Sequence, residues 1–352
     1  MDDDLLKKLM DSESAEKIEK LQLQVRGLMN KNRSLNDRAK RAETRSIDLQ
    51  GIIDKFSGLQ DSVEWSGSLP VRKSGSKRKH HGIAILHWTD WHVAEVVEKS
   101  RTDGLNEFNP RICRKRVEKL VDGSCSLIDH DRQHIKIEEI VLILGGDFIT
   151  GYLHPELEQT NAMGPTEETY FAIELLGQAI ESLVERLKPK LIRVVCHRGN
   201  HGRTTKRMQF KNDYETSYES MIYWLLRDRF DGPEFQWDIP KSSVEYTALL
   251  PDTLIRSAHG HQIKFQGGIG GLLVPANRWV VKQNQTRSAI MTFIGHFHNR
   301  NLMSGLTVSG SLKGFDEYAM DKGFKFEEPC QSYQLFDVRR KKMTGAWPIF
   351  CG

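Results

Sequence analysis

Apolar residues recur at two different periods along the chain, and the change of period divides it. Between residues 18 and 56 they return at heptad spacing. Ile18, Val25, Asn32, Ala39, Ser46 and Ile53 take the a positions, and Leu21, Leu28, Leu35, Ala42, Leu49 and Phe56 the d positions. Charged and amide residues fill the intervals and no proline interrupts them. A repeat sustained this long predicts a coiled coil. β-Branched residues at a with Leu at d favour two parallel strands, and the lone Asn32 would set their register. Ala39, Ala42 and Ser46 thin the middle of the seam, and Gly51 weakens the helix near its end. A single long helix lying on the rest of its own chain would satisfy the same pattern.

Residues 61–81 lose the periodicity. Gly67, Pro70 and Gly75 sit among serines and lead into Lys77, Arg78, Lys79, His80 and His81, which reads as a basic flexible linker. The expected organisation is a coiled-coil helix over 1–60, the linker over 61–81, and a folded domain over 82–352.

From Gly82 the pattern alternates between short apolar runs and amphipathic stretches. Ile83 to His87, Ile140 to Leu144, Leu191 to Cys196, Thr253 to Ala258 and Ala289 to Ile294 predict strands. Arg111 to Ile128, Thr166 to Leu187 and Tyr214 to Phe230 predict helices, with Thr166, Glu167 and Glu168 marking a start. Alternation of this kind predicts a layered α/β domain.

Composition narrows the class. With 352 residues, 38% hydrophobic and 28% charged, the chain can bury a substantial core. No apolar run approaches the roughly 20 residues that cross a bilayer, so no membrane partner is expected. Met1 is followed by three aspartates rather than a basic and apolar leader, so no secretory signal is expected. The five cysteines form no C-x-x-C pair, which suggests neither a disulfide framework nor a zinc knuckle. A cytoplasmic location is the expectation. The net charge of +4 says little by itself. Its distribution says more, because Arg186, Lys188, Lys190, Arg193, Arg198, Arg203, Lys206, Arg207 and Lys211 follow one another with no acidic residue between them.

The chemistry is written at the strand ends. After the predicted strands come Thr89-Asp90-Trp91-His92, Gly145-Gly146-Asp147, Gly199-Asn200-His201, His259-Gly260-His261 and Gly295-His296-Phe297-His298. The carboxyl edge of an α/β sheet is where ligands bind. A donor set of carboxylate, amide and imidazole without thiolate suits divalent ions such as Mn, Fe or Zn.

In this order the motifs D-x-H, G-D, G-N-H, H-G-H and G-H-x-H resemble the signature of the calcineurin-like metallophosphoesterase superfamily, over residues 83 to about 315. The resemblance implies two central β-sheets packed face to face and flanked by helices. It implies two divalent metal ions, with Mn2+ foremost and Fe, Zn, Ni or Mg as others the set accepts. Asp90, His92 and His298 would hold one ion, Asn200, His259 and His296 the other, and Asp147 would bridge them. His261 competes with His259, which is preferred because it directly follows its strand. His201 would stand beside the metals as the catalytic group that handles the leaving oxygen. The family usually carries an acidic residue after G-N-H to orient that histidine, and here Gly202 and Arg203 follow instead.

The activity so implied is phosphoester hydrolysis by hydroxide held between two metal ions. The basic run points to a nuclease acting on DNA, with Arg198, Arg203, Lys206, Arg207 and Lys211 binding the substrate backbone. The coiled coil would make a homodimer. The segment Ser309 to Tyr318 is similar to one in phage and bacterial phosphoesterases of DNA-repair type, which implies a bacterial or phage-infected cell. A phosphomonoesterase or protein phosphatase is the alternative, and a coiled-coil assembly protein with a vestigial metal site is the second.

Overall fold

The computed structural model describes residues 20, 25–33, 35–37, 39–40, 80–264 and 271–352. The chain divides into two units, Met1–Gly75 and Ser76–Gly352. In the first, the described positions are helical, and Val25, Leu28, Met29 and Leu35 are exposed. The rest of the heptad register, and the linker up to residue 79, lie outside the described residues. No described helix is long and apolar enough to cross a membrane.

The second unit is mixed α/β with two sheets. In the larger, β1 (His81–Trp88), β2 (Lys136–Leu144), β3 (Leu191–Cys196) and β4 (Phe235–Asp238) lie side by side and parallel. β10 (Cys330–Asp337) pairs antiparallel with β1, and β11 (Lys342–Phe350) with β10. The smaller sheet has the order β5 (Val244–Leu250), β6 (Thr253–Ala258), β7 (Met291–Ile294), β9 (Leu306–Val308) and β8 (Asn301–Met303), with β6, β7 and β9 parallel.

Side-chain alternation explains how the layers stack. Ile83, Ile85, Val141, Ile143 and Val195 face Leu249, Ile255 and Phe293 of the smaller sheet. Their neighbours Ala84, Leu86, Ile140, Leu142, Leu144, Ile192 and Val194 face the other way, into a core shared with α1 (Pro110–Arg132), α3 (Pro165–Leu187) and α4 (Tyr218–Arg229). The far side of the smaller sheet packs on Ala276 and Val280 of α5 (Leu273–Thr286). Strands buried on both faces read as continuous apolar runs, which is why β1, β2 and β3 stand out in the sequence.

Several boundaries differ from expectation. β1 starts at His81, and His80 pairs with Asp337 at 2.9 Å, so the last residues assigned to the linker belong to the folded unit. The helix expected from Tyr214 begins at Tyr218, because the Ser217 side chain accepts from the Glu219 N–H and caps it there. The strand expected from Ala289 begins at Met291. Two short helices, α2 (Pro155–Thr160) and α6 (Glu317–Asp321), sit in the long connections.

Because β1, β2 and β3 run parallel, their carboxyl ends emerge along one edge. Those of β6 and β7 emerge together as well. The His259 ring, at the end of β6, bonds the Gly145 carbonyl at the end of β2, so the two edges meet.

Candidate metal centre

The turns that leave β1, β2 and β7 are bent out of the ordinary backbone range. Eight non-glycine residues among those described have positive φ, and five of them are Asp90, His92, Asp147, His296 and His298. A left-handed conformation costs a residue with a Cβ of order 1 kcal/mol or more, and it persists where the surroundings enforce it. Strain therefore gathers on the side chains that the sequence singles out.

Enforcement comes from the backbone of neighbouring turns. The Asp90 N–H donates to the Gly146 carbonyl at 2.9 Å, and the His92 N–H to that of Asp147 at 3.1 Å. The His296 N–H donates to the Asp90 carboxylate at 2.9 Å, tying a turn of the smaller sheet to one of the larger. Gly199 passes so close to Asp147 that a Cβ there would lie 1.9 Å from its carboxylate oxygen, so no other residue fits.

Within this frame the donor atoms converge. Asp90, His92 and His298 form one group, Asp147, His259 and His296 a second, and His92, Asp147 and His201 a third, with ligand atoms in each group within 4.8 Å of one another. Asp147 belongs to the second and third groups, and its Oδ2 lies 3.0 Å from His259 Nε2. Asn200 Oδ1 lies 3.2 Å from the same Nε2. Asp90, His92, Asp147 and His259 are fully or almost fully buried.

The hydrogen-bond accounting calls for a cation. His259 Nδ1 faces the Gly145 carbonyl at 2.8 Å, so in a neutral ring the proton sits there and Nε2 carries a lone pair. Yet Nε2 points at the oxygens of Asp147 and Asn200, which are themselves acceptors. His92 and His298 bring Nε2 to within 3.2 Å of Nε2, a pair that one proton or one metal ion would satisfy. Clustered lone pairs of this kind are unfavourable unless a proton or a metal ion lies between them. The residues therefore fit divalent metals. All five cysteines are buried and free, and none belongs to these groups.

Electrostatics agree. Burial pushes His296 down to about 3 and holds His92 well below the usual imidazole value. Such rings are neutral, the form that ligates metals. For His259 burial also opposes charge, but the adjacent Asp147 outweighs it and pushes the ring up to about 10. That proton occupies the place a metal would take. Asp147 is held well below the carboxylate range, since His259 and His201 outweigh its burial.

His261 lies outside the three groups, with its ring 5.5 Å from that of His259. Burial, with the charge of His259 beside it, pushes His261 down to about 4. His201 sits closer to the donors than a bystander would, its ring edge-on to His92 at 4.7 Å. The Thr150 carbonyl holds its Nδ1 at 2.9 Å, which leaves Nε2 facing the centre.

Two carboxylates that sequence reasoning passed over hold these loops. Glu168, read above as a helix-start acid, turns inward and accepts from the N–H groups of Ala94, Thr150 and Gly151. Glu219 of α4 accepts from Phe148 N–H at 2.8 Å and Gly199 N–H at 2.6 Å. A Cβ on Gly202 would lie 2.7 Å from the Glu219 Cγ. Glu219 thus packs against the Gly202 backbone from α4, the helix that follows the loop. Gln331 of β10 gives a third support, accepting from Thr89 N–H at 2.7 Å. None carries a local signal, since each is one polar residue in an unremarkable helix or strand.

The basic run separates into two kinds of residue. Arg186, Lys190 and Arg193 pair with Asp122, Glu138 and Glu139. Arg198 corrects an expectation. Its side chain is 3% exposed, it pairs with Asp213, and it donates to the carbonyls of Pro240, Lys241 and Ser242. With its donors spent inside the protein it acts as a structural staple. Arg203 donates to the carbonyls of Asn200 at 2.8 Å and Thr205 at 3.0 Å. Lys206, Arg207 and Lys211 are exposed, and none takes part in an ion pair among the described residues.

No family model matches the chain. No match is found among the curated proteins. Among solved structures, a single mutant of Vps29 from Entamoeba histolytica aligns at 12% identity and a TM-score of 0.27, covering 72% of this chain and 86% of that one. Sulfate thiohydrolase SoxB from Thermus thermophilus, in complex with glycerol, aligns at 7% identity and a TM-score of 0.35. That alignment covers 78% of this chain and 58% of the SoxB chain. At such values neither likeness bears on the chemistry, which rests on the side chains themselves.

Proposed function

We propose that the chain is a metal-dependent phosphoester hydrolase of the calcineurin-like metallophosphoesterase superfamily, cutting nucleic-acid phosphodiesters. The carrying observation is the convergence of carboxylate and imidazole ligand atoms from both sheets into groups within 4.8 Å, with Asn200 Oδ1 beside them. In this reading Asp90, His92 and His298 hold one divalent ion, Asn200, His259 and His296 a second, and Asp147 lies between them. Mn2+ is the proposed ion, on the grounds of a mixed oxygen and nitrogen donor set. When bound, such a pair supplies an acidified water and charge stabilisation for in-line displacement at phosphorus.

The chain's own residues do the rest. His201, fixed through Nδ1 by Thr150, has Nε2 as its one ring nitrogen free to exchange a proton with the leaving oxygen. Burial lowers its proton affinity, and an anionic phosphate entering the site would raise it again. Lys206, Arg207 and Lys211 would hold phosphates that flank the cleaved bond. The heptad segment would pair two copies into a dimer.

The test is a panel of substrates offered to the full chain after chelation and again after Mn2+ is restored. Linear DNA, circular single-stranded DNA and an aryl phosphodiester should all be cut only with metal. Hydrolysis of an aryl monophosphate with no cut diester would replace this reading with that of a phosphomonoesterase.

A further inference from the structure

The loop after Arg203 presents an aromatic ring that nothing in the fold uses. Phe210 is 86% exposed, far above the other large apolar side chains of the folded unit. It lies in the sequence Lys206-Arg207-Met208-Gln209-Phe210-Lys211, between the cations that have no ion-pair partner among the described residues.

The loop has a firm base. Arg203 bridges to Ser217 in antiparallel fashion, and the Thr204 N–H donates to the Thr216 carbonyl at 2.8 Å. Arg198 pairs with Asp213 at 3.1 Å and lies over the Tyr214 ring. Arg203 also ties the base to the metal centre through the Asn200 carbonyl. Arg198, Asn200, Arg203, Met208, Gln209 and His261 line one small recess beside it. A polymer bound on the loop would therefore lie beside the Asn200 turn.

We infer that this loop is a stacking platform for unpaired bases, so that the strand delivered to the metal centre is single-stranded; this rests on the phosphodiester reading above. Exposed cations beside the recess call for a polyanion. A flat apolar ring set among them calls for a polyanion that also offers flat apolar faces. Unpaired bases meet both demands, whereas a duplex hides its bases and offers the ring only sugar and phosphate. Base stacking on an aromatic side chain contributes about 5- to 150-fold in affinity per base.

The experiment compares two labelled strands of equal length, oligothymidylate and an abasic phosphodiester, binding to the full chain in chelator so that neither is cut. The parent should prefer oligothymidylate by at least about fivefold. Phe210→Ala should lose that preference yet bind the abasic strand as the parent does. Phe210→Trp should keep it, and its indole emission should be quenched by oligothymidylate alone. Equal binding of both strands by the parent overturns the inference, as does a preference that survives Phe210→Ala. A Phe210→Trp emission that responds to phosphatidylserine vesicles and to neither strand overturns it in favour of a membrane surface. The base preference without metal-restored cleavage of an aryl diester would uphold the platform and refute the hydrolase reading.

Discussion

Asn200 joins two regions built on opposite terms. Toward the metal centre, polar atoms are buried, backbone is held at positive φ, and buried carboxylates pin the turns. Past His201, the loop from Lys206 to Lys211 is exposed, and its cations have no acidic partner among the described residues. The first region is over-determined by its own protein. The second is fixed at its base and exposed at its tip. Charge counted along a sequence does not distinguish these cases, since Arg198 and Lys211 belong to the same acid-free run.

Breaking the first region should have the largest effect. Asp147→Asn removes a carboxylate that serves more than one ligand group, so metal content should fall and turnover should drop by more than about 10²-fold, beyond what outer-shell changes cost. His201→Ala should cut turnover by about 10²–10⁴-fold. Metal analysis then sharpens the picture, because a proton-handling His201 leaves both ions in place and a ligating His201 does not.

The two halves of the basic run should separate by what they change. Arg198→Ala strands Asp213 and three carbonyls, and should lower stability by about 3 kcal/mol in urea unfolding. Joint replacement of Lys206, Arg207 and Lys211 by Gln should leave the urea midpoint where it was. It should raise KM for single-stranded DNA and reduce the salt slope by about 0.7 per lost contact, roughly 2 in all. An unchanged slope would remove the loop from the substrate path.

The smallest effect is one of acid. Lys313 lies buried between Glu95 at 2.8 Å and Asp316 at 2.5 Å, beside the His92 turn. Burial would raise the Asp316 carboxyl, but Lys313 outweighs it and holds it down to about 2. A carboxyl lowered on folding stabilises above its unfolded value near 3.8 and loses that contribution as pH falls toward 2. The shift amounts to about 2 kcal/mol. Lys313→Met should therefore destabilise at neutral pH, by an amount that shrinks below pH 3.8.

Much of this was legible because β1, β2, β3, β6 and β7 are each followed by a donor, which in all but β1 stands beside a glycine. A motif at a strand end announces both the strand and its edge. Strand β10 was hidden, since Gln331, Ser332 and Gln334 are buried there and break the apolar run that a two-faced strand normally shows. Gln331 is polar because it clasps Thr89 N–H and the Gly310 carbonyl, a pairing no local pattern reveals. Glu168 and Glu219 were hidden for the same reason. A carboxylate that satisfies backbone N–H groups on distant loops looks, in sequence, like any helix-surface acid. Arg198 misled in the other direction, because Asp213, which neutralises it, lies beyond the end of the acid-free run.

The central claim is that the converging lone pairs of Asp90, His92, Asp147, Asn200, His259, His296 and His298 are there for cations. The most direct measurement follows metal content and aryl diester hydrolysis together as the full chain is stripped by chelator and titrated with Mn2+. The account predicts two divalent ions per chain at saturation, activity that falls as they leave, and activity that returns as they are restored. Undiminished hydrolysis in a chain shown to be free of metal would contradict it.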